Sequence, residues 1–377
     1  MQPIFRNVAV VGTGAMGRGI AQMAAQAGAT VWLFDAQPGA ADAARAALEG
    51  TWNSLVAKQR MATEAAADCL SRLQIAAAMT DLAACDLVVE AIVERLEIKQ
   101  KVFAELEGIV GPEAVLATNT SSLSVTAIGA ALKRPERFAG WHFFNPVPLM
   151  KVVEVIAGLK TDAAVCQRLD AFARAFGHTP VMAQDTPGFI VNHAGRGYGT
   201  EALRVAGERV TDFATMDRIL KDQMGFRLGP FELMDLTALD VSHPVMESIY
   251  HQYFEEPRYR PSVITAQRLA GGVVGKKVGE GFYRYADGKP ELPAEPPVPT
   301  GASRPPVWVS PKAARRTELY QLLKDLGAVI ETAAAPSAEA LILVAPLGLD
   351  VTTLAAVERL DATRTVGIDM MLEDAAV

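Results

Sequence analysis

The sequence predicts an α/β fold: a mostly parallel sheet with helices on both faces, then an all-helical domain and a small C-terminal α/β unit. Three observations carry this reading. Short runs of small and β-branched residues alternate with helical stretches through the first half of the chain, the pattern of parallel strands joined by helical crossovers. The alternation stops after Asp185-Thr186-Pro187-Gly188, and the following stretch reads as helix. A segment rich in Pro, Ala and Glu then precedes a last stretch in which apolar runs return around a helix.

Taken in order, Asn7–Val11 is a first strand, followed by a helix from about Ala15 to Ala27 and, after Gly28, a second strand over Thr30–Phe34 ending at Asp35. An Ala-rich helical region runs on to about Leu73. Leu87–Glu90, Val115–Thr118, Trp141–Phe144 and Val152–Ile156 are short apolar runs of strand length. From Phe189 to about Tyr253 the chain reads as mostly helical, with Gly229-Pro230 as an internal turn, and Gly279-Glu280-Gly281-Phe282-Tyr283 closes this part. Lys289 to Pro306 reads as an extended, semi-rigid linker. Beyond it, Val307–Val309 and Ala340–Ala345 are candidate strands and Ala313–Leu326 a helix. The expected division is 1–187, 188–286, a linker 287–306 and an extension 307–377 of unknown role, which reads as a stub of a longer protein.

A chain of 377 residues, 50% hydrophobic, can bury sizeable cores. Its net charge of −7 argues against nucleic acid as a partner, which calls for a basic face. The three cysteines, Cys69, Cys85 and Cys166, are odd in number and widely spaced, so neither a disulfide framework nor a metal site is expected. No signal pattern opens the chain, and no apolar run approaches the roughly 20 residues that span a bilayer. A cytoplasmic protein with no membrane partner is the expectation.

Gly12-Thr13-Gly14-Ala15-Met16-Gly17 fits G-x-G-x-x-G. The pattern alone is weak, but here it follows a strand, opens a helix and is succeeded by Asp35 at the end of the next strand. That context is the dinucleotide fingerprint of a Rossmann-type fold. Gly12 permits the tight turn, Gly14 lets the backbone approach a pyrophosphate, and Gly17 lets the helix pack on the strand. The amides of Thr13, Ala15 and Met16 belong to the same anion-binding turn. Asp35 is placed to accept from the adenosine ribose and repels a 2′-phosphate. With Ala36 and Gln37 next, no arginine is at hand to bind one, so NAD is expected over NADP.

Four polar residues stand out as candidates for chemistry: Ser121 in Asn-Thr-Ser-Ser-Leu, His142 in Gly-Trp-His-Phe-Phe-Asn-Pro, Glu154 inside Val-Val-Glu-Val-Ile, and Asn192 in Pro-Gly-Phe-Ile-Val-Asn. Glu154 is the most telling, because a carboxylate in the middle of an apolar strand is costly unless partnered. A histidine on a neighbouring strand is the natural partner. An ionised Glu on one ring nitrogen fixes the tautomer and leaves the other nitrogen free as a base. Each residue also has a plainer reading: His142 as a satisfied core histidine beside Trp141 and Phe143, Ser121 as a helix cap, Asn192 as a cap or solvated helix-start residue.

From Val8 to about Tyr285 the chain strongly resembles the L-3-hydroxyacyl-CoA dehydrogenase family. The stretches that carry the resemblance are VGTGAMGRGIAQ, VVEAIVE, NTSSL, GWHFFNPVPLMKVVEVI, DTPGFIVN, GPFELMD and GKKVGEGFY. The resemblance implies NAD-dependent oxidation of a (S)-3-hydroxyacyl-CoA to a 3-ketoacyl-CoA, in fatty-acid β-oxidation or related acyl-CoA degradation. It makes His142 the general base, Glu154 its partner, and Ser121 and Asn192 the groups that hold substrate oxygens. Asn145 would line the site, Glu94 and Lys99 would contact the nicotinamide half, and Lys277 would reach the cofactor from the second domain. Ser54 and Lys58 would meet the CoA moiety, although Lys58 fits a solvated surface position equally well. A homodimer through the helical domain is also implied. The residues after 287 make the chain resemble the longer bacterial form associated with phenylacetate degradation, without that form's second DTPGFIVN-like stretch. Two other readings stay open: a dehydrogenase of a free hydroxy acid such as gulonate, and a non-catalytic NAD-binding structural protein.

Overall fold

A computed structural model describes residues 4–295 and 304–370. They divide into two compact units. The first holds residues up to 218 together with 228–291, and the second holds 219–227 and the residues from 292 onward.

The first unit is built on an eight-stranded sheet. In chain order its strands are β1 (Asn7–Val11), β2 (Thr30–Phe34), β3 (Leu73–Ile75), β4 (Leu87–Glu90), β5 (Val115–Thr118), β6 (Phe138–Phe143), β7 (Val152–Ala157) and β8 (Thr179–Gln184). Their spatial order is β3-β2-β1-β4-β5-β6-β7-β8. All pairings are parallel except β6 with β7. Side chains alternate across a strand, and two apolar layers result. Val8 and Val10 face one layer, while Ala9 and Val11 face the other. The first layer is covered by α1 (Ala15–Gln26), α2 (Ala40–Ala57), α3 (Thr63–Ser71) and, through Leu169 and Phe172, by the helix over Ala163–Ala175. The second is covered by α4 (Leu96–Ile109) and α5 (Val125–Gly129). The Ala163–Ala175 helix, which becomes α6 in chain order, starts at Asp162, whose carboxylate caps the Ala164 amide.

Two strands of this sheet lie outside the sequence expectation, and both are its edges. The Ala-rich helical stretch ends at Ser71 and Leu73–Ile75 is β3. Thr179–Gln184 forms β8 although it contains Pro180, which an edge strand tolerates because one row of its amides needs no ladder partner.

The helical part follows at α7 (Val191–Gly207), α8 (Phe213–Met224), α9 (Pro230–Thr237), α10 (Leu239–Gln252) and α11 (Val263–Ala270). Gly229-Pro230 is the start of α9, with proline at the first helical position. Two buried carboxylates hold the first unit's helical core. Asp217 accepts from the Phe231 and Glu232 amides at 2.9 Å each and from the Tyr283 hydroxyl at 2.7 Å. Asp235, fully buried, accepts from the Phe282 and Tyr283 amides at 2.8 and 3.0 Å and from the Tyr285 hydroxyl at 3.0 Å. The GEGFY segment is therefore fastened to α9 by hydrogen bonds to a buried carboxyl group. A side chain at Gly281 would meet Asp235 Oδ1 at 2.0 Å, so only glycine fits there.

The expected linker is shorter than 287–306. Lys289–Pro290 (β10) pairs with Tyr285–Ala286 (β9) in a hairpin, and residues 296–303 of the linker lie outside the described residues. The second unit carries a four-stranded parallel sheet. Its strands are β11 (Val307–Val309), β12 (Ile330–Glu331), β13 (Leu341–Val344) and β14 (Thr365–Gly367), in the order β12-β11-β13-β14. Its helices are α12 (Arg316–Asp325) and α13 (Val351–Glu358). The expected helix over Ala313–Leu326 is thus trimmed at both ends, and α13, β12 and β14 are additions. Among the described residues no helix is long and apolar enough to cross a membrane.

Asp235→Ala strands two buried amides and a hydroxyl. The variant is expected to lose at least about 2 kcal/mol of stability in urea unfolding. A loss below about 0.5 kcal/mol, the range of an uninvolved surface substitution, would contradict this anchoring role.

Candidate active site

The glycine loop links β1 to α1 as its pattern requires. Gly12 has φ +95°, and a side chain there would sit 2.6 Å from the Ala91 carbonyl oxygen. At Gly17 a Cβ would lie 1.9 Å from the Gly12 carbonyl oxygen, so α1 can pack this close only with glycine. At Gly14 a Cβ would meet nothing within 4 Å. The loop therefore presents bare backbone to open space at the start of a helix that has no side-chain cap and no acidic residue in its first turn. Uncapped amides in a first turn without an acidic residue suit a phosphate, so the loop formed by Thr13, Ala15, Met16 and the three glycines fits a dinucleotide. Asp35 closes it. Its Oδ2 accepts from Thr13 N at 2.7 Å and Thr13 Oγ1 at 2.8 Å, and its Oδ1 accepts from Gln37 N at 3.0 Å. Burial opposes ionisation of Asp35, but the amides of Gln37 and Thr13 outweigh it and hold the pKa below the ordinary value.

His142 and Glu154 lie directly opposite each other on the antiparallel pair β6–β7. Their neighbours Trp141, Phe143, Val153 and Val155 all face the first apolar layer, so the pair projects from the other face. The ring Nδ1 is 2.6 Å from Glu154 Oε2. Glu154 Oε1 accepts from the Ile190 and Val191 amides at 2.8 and 2.9 Å, at the first turn of α7. The carboxylate is fully buried. Burial pushes its pKa up, yet the His142 hydrogen bond and the Val191 and Ile190 amides bring it below the ordinary Glu value. An ionised Glu154 makes Nδ1 the proton-bearing nitrogen. Among the described residues nothing hydrogen-bonds Nε2, which is left to act as a base. Phe144 and Phe189 flank the ring, at centroid distances of 4.5 and 5.7 Å.

Ser121 and Asn192 are brought together. Asn192, in the first turn of α7, donates from Nδ2 to the Ser121 carbonyl oxygen at 3.3 Å. The Ser121 loop is gripped by Glu94, whose Oε1 accepts from Thr120 Oγ1 at 2.6 Å, Ser121 N at 2.9 Å and Ser122 N at 3.1 Å. The Ser121 hydroxyl itself makes only a 3.5 Å contact with Glu94. Glu94 is paired with Lys99 at 3.2 Å. Burial raises its pKa, but Lys99 and the loop donors lower it further. Lys99 is almost wholly buried, with its ammonium also 2.5 Å from Glu90. The structure thus places Lys99 behind Glu94, enclosed by two carboxylates, and not as a free cation.

The other expected residues are not gathered here. Asn145 is exposed and lines a cleft of ≈ 830 Å³ together with Arg18, Thr51, Leu55 and Lys151. Ser54 and Lys58 are exposed on and just after α2, and it is Thr51 and Leu55 of that helix that face this cleft. Lys277 is exposed and pairs with Asp240 of α10, not with any group of the glycine loop.

Several residues that hold the site escaped the sequence reading. Glu90, fully buried at the end of β4, accepts from Lys99, from the Ile92 amide at 2.7 Å and from Thr118 Oγ1 at 2.7 Å. A carboxylate ending an apolar run is the same signal that singled out Glu154. Asn119 Oδ1 accepts from Phe143 N at 2.9 Å, beside His142. Gln252 donates to the Ser122 carbonyl oxygen at 2.7 Å, and nothing in its local sequence marks it. Asp185, in the DTPG stretch, accepts from Ser124 Oγ, Val125 N and Thr126 N, which fixes the start of α5.

Comparison with known proteins adds independent findings. Residues 7–186 match the profile described as 3-hydroxyacyl-CoA dehydrogenase, NAD binding domain, and residues 188–285 match 3-hydroxyacyl-CoA dehydrogenase, C-terminal domain. A 3-hydroxyadipyl-CoA dehydrogenase of Escherichia coli K12 is 43% identical over 280 residues, which are 74% of this chain and 59% of that protein. The chain thus spans under two thirds of the length of this relative. A 3-hydroxybutyryl-CoA dehydrogenase of Bradyrhizobium diazoefficiens is 38% identical over 290 residues, 77% of this chain and 99% of that protein. The crystal structure of a 3-hydroxybutyryl-CoA dehydrogenase from Escherichia coli K12 superposes with a TM-score of 0.83 at 35% identity, covering 98% of this chain and 73% of that one. Coverage that wide takes in the unit after residue 307.

The lowered pKa of Glu154 sets a direction for acid sensitivity. Its stabilising contribution is present above the ordinary Glu pKa and is lost as pH falls through the lower folded-state value. Urea unfolding of the wild type and of Glu154→Gln between pH 7 and pH 3 is expected to show a shallower acid loss in the variant. Parallel pH profiles would contradict the assignment.

Proposed function

This chain belongs to the 3-hydroxyacyl-CoA dehydrogenase family of NAD-dependent oxidoreductases, and on that premise we propose that it oxidises the 3-hydroxyl of an acyl-CoA thioester with His142 as proton acceptor and Glu154 as its partner. The observation that carries the proposal is the 2.6 Å contact between a fully buried, ionised carboxylate and one ring nitrogen, with the other nitrogen free. Glu154 orients the ring, fixes its tautomer and stabilises the imidazolium that forms when Nε2 takes the hydroxyl proton. Its second oxygen is held by the α7 amides, so it cannot swing away with the proton.

Ser121 and Asn192 position the substrate oxygens beside Nε2, and Glu94, tied down by Lys99, fixes the loop that carries Ser121. Holding the reacting groups in one geometry supplies a large share of such a rate enhancement. Residues 12–17 and Asp35 would hold NAD, with Glu94 at its nicotinamide half. Bound there, NAD supplies the acceptor for the hydride that leaves C3. The names of the relatives support an acyl-CoA substrate, and they differ at the far end of the acyl chain: an adipyl group ends in a carboxylate, a butyryl group in a methyl. A homodimer through the helical part, and CoA contact along α2, belong to the same proposal.

His142→Gln is expected to lower kcat/KM for 3-hydroxybutyryl-CoA by about 10²–10⁴-fold, with NAD affinity, read by fluorescence titration, unchanged. A folded variant with near-native turnover would overturn the role of His142.

A further inference from the structure

Whereas Lys99 is enclosed by two carboxylates, α7 carries a cation that has none. Arg196 lies on α7, four residues after Asn192, and its Nε donates to the Asn192 carbonyl oxygen at 3.2 Å. Among the described residues no carboxylate forms an ion pair with it. It is partly buried, and burial alone pushes its pKa down with no acid nearby to offset the cost. Residues four apart share a helix face, and long side chains lean toward the helix N-terminus. The guanidinium therefore lies over the turn that carries Asn192, whose amide reaches the Ser121 carbonyl oxygen. The helix backbone on either side is unencumbered. Gly195, Gly197 and Gly199 flank Arg196, and a side chain at any of them would meet nothing within 4 Å. Glycine is costly inside a helix. Here no close contact demands it, and the helix backbone beside Arg196 is left bare.

A partly buried guanidinium without a counter-charge is expensive, and its planar fork matches a carboxylate in two-point contact. We propose that Arg196 is a specificity-determining residue that receives a carboxylate at the far end of the acyl chain. The preferred substrates are then 3-hydroxyacyl-CoA thioesters of short dicarboxylic acids. This rests on the reading of His142, Ser121 and Asn192 given above.

The test uses the full chain and compares 3-hydroxyadipyl-CoA with 3-hydroxyhexanoyl-CoA, which have the same chain length and the same CoA and differ only in the terminal group. The wild type is expected to favour the dicarboxylic thioester in kcat/KM by at least about tenfold, the scale of one charge-assisted contact. Arg196→Met should erase most of that preference through KM, leave the hexanoyl thioester nearly unaffected, and be partly rescued by Arg196→Lys. Equal losses on both thioesters would assign Arg196 to a CoA phosphate or to the fold. A changed oligomeric state in sedimentation, with the preference intact, would assign it to a partner chain. Either result overturns the proposal, as does an Arg196→Met variant that keeps the wild-type ratio. Calorimetric binding of adipyl-CoA and hexanoyl-CoA, which lack the reacting hydroxyl, separates the two readings. An Arg196-dependent preference for adipyl-CoA without any oxidation sinks the dehydrogenase reading alone. Oxidation of both thioesters with no preference sinks this inference alone.

Discussion

A carboxylate buried between two strands and a helix is the constraint around which this site is arranged. Glu154 sits with its backbone on β7, one oxygen on the ring of His142 across the strand pair and the other on the first amides of α7. A buried charge persists only if its neighbours repay its lost hydration, and here the repayment comes from the groups that must be aligned. The same carboxylate sets the ring's tautomer, fixes where α7 begins and so places Asn192 in that helix's first turn. The favourable charge at a helix N-terminus adds to the arrangement.

A second buried charge system does for the Ser121 loop what Glu154 does for the ring. Lys99 is held by Glu90 and Glu94, and Glu94 turns its other oxygen to the loop over residues 120–122. The two systems meet where Asn192 reaches Ser121. Both arise from the open sheet, since β4, β5 and β6 are neighbours and end their apolar runs beside one another. Ligand sites of open α/β sheets collect at such strand ends.

How much of this could be read in the sequence follows from where the free energy comes from. The central strands were legible because their burial on both faces demands continuous apolar runs, as in Val8–Val11 or Leu87–Val89. The edge strands β3 and β8 were not. One has three residues with a glutamine in the middle, the other carries Pro180 and exposed positions, and each exists because a neighbouring strand offers it a ladder. Glu154 stood out because a charge interrupts an apolar run. Glu90 carried the same signal and shows that it generalises. Lys99 reads locally as one more charge on a helix, and its burial is visible only once the fold turns Glu90 and Glu94 onto it. Gln252, 130 residues from its partner Ser122, has no local signal at all. The expectations for Lys277 and Ser54 came from resemblance, and the fold leaves both on the surface.

The claim on which the account turns is that Glu154 keeps the proton on Nδ1 and Nε2 bare. Nitrogen-15 NMR of protein labelled at its histidine rings, with the His142 signals assigned by comparison with His142→Gln, reads this directly. The account predicts a neutral ring protonated at Nδ1 and a strongly deshielded proton shared with Glu154. A ring protonated at Nε2 would contradict it.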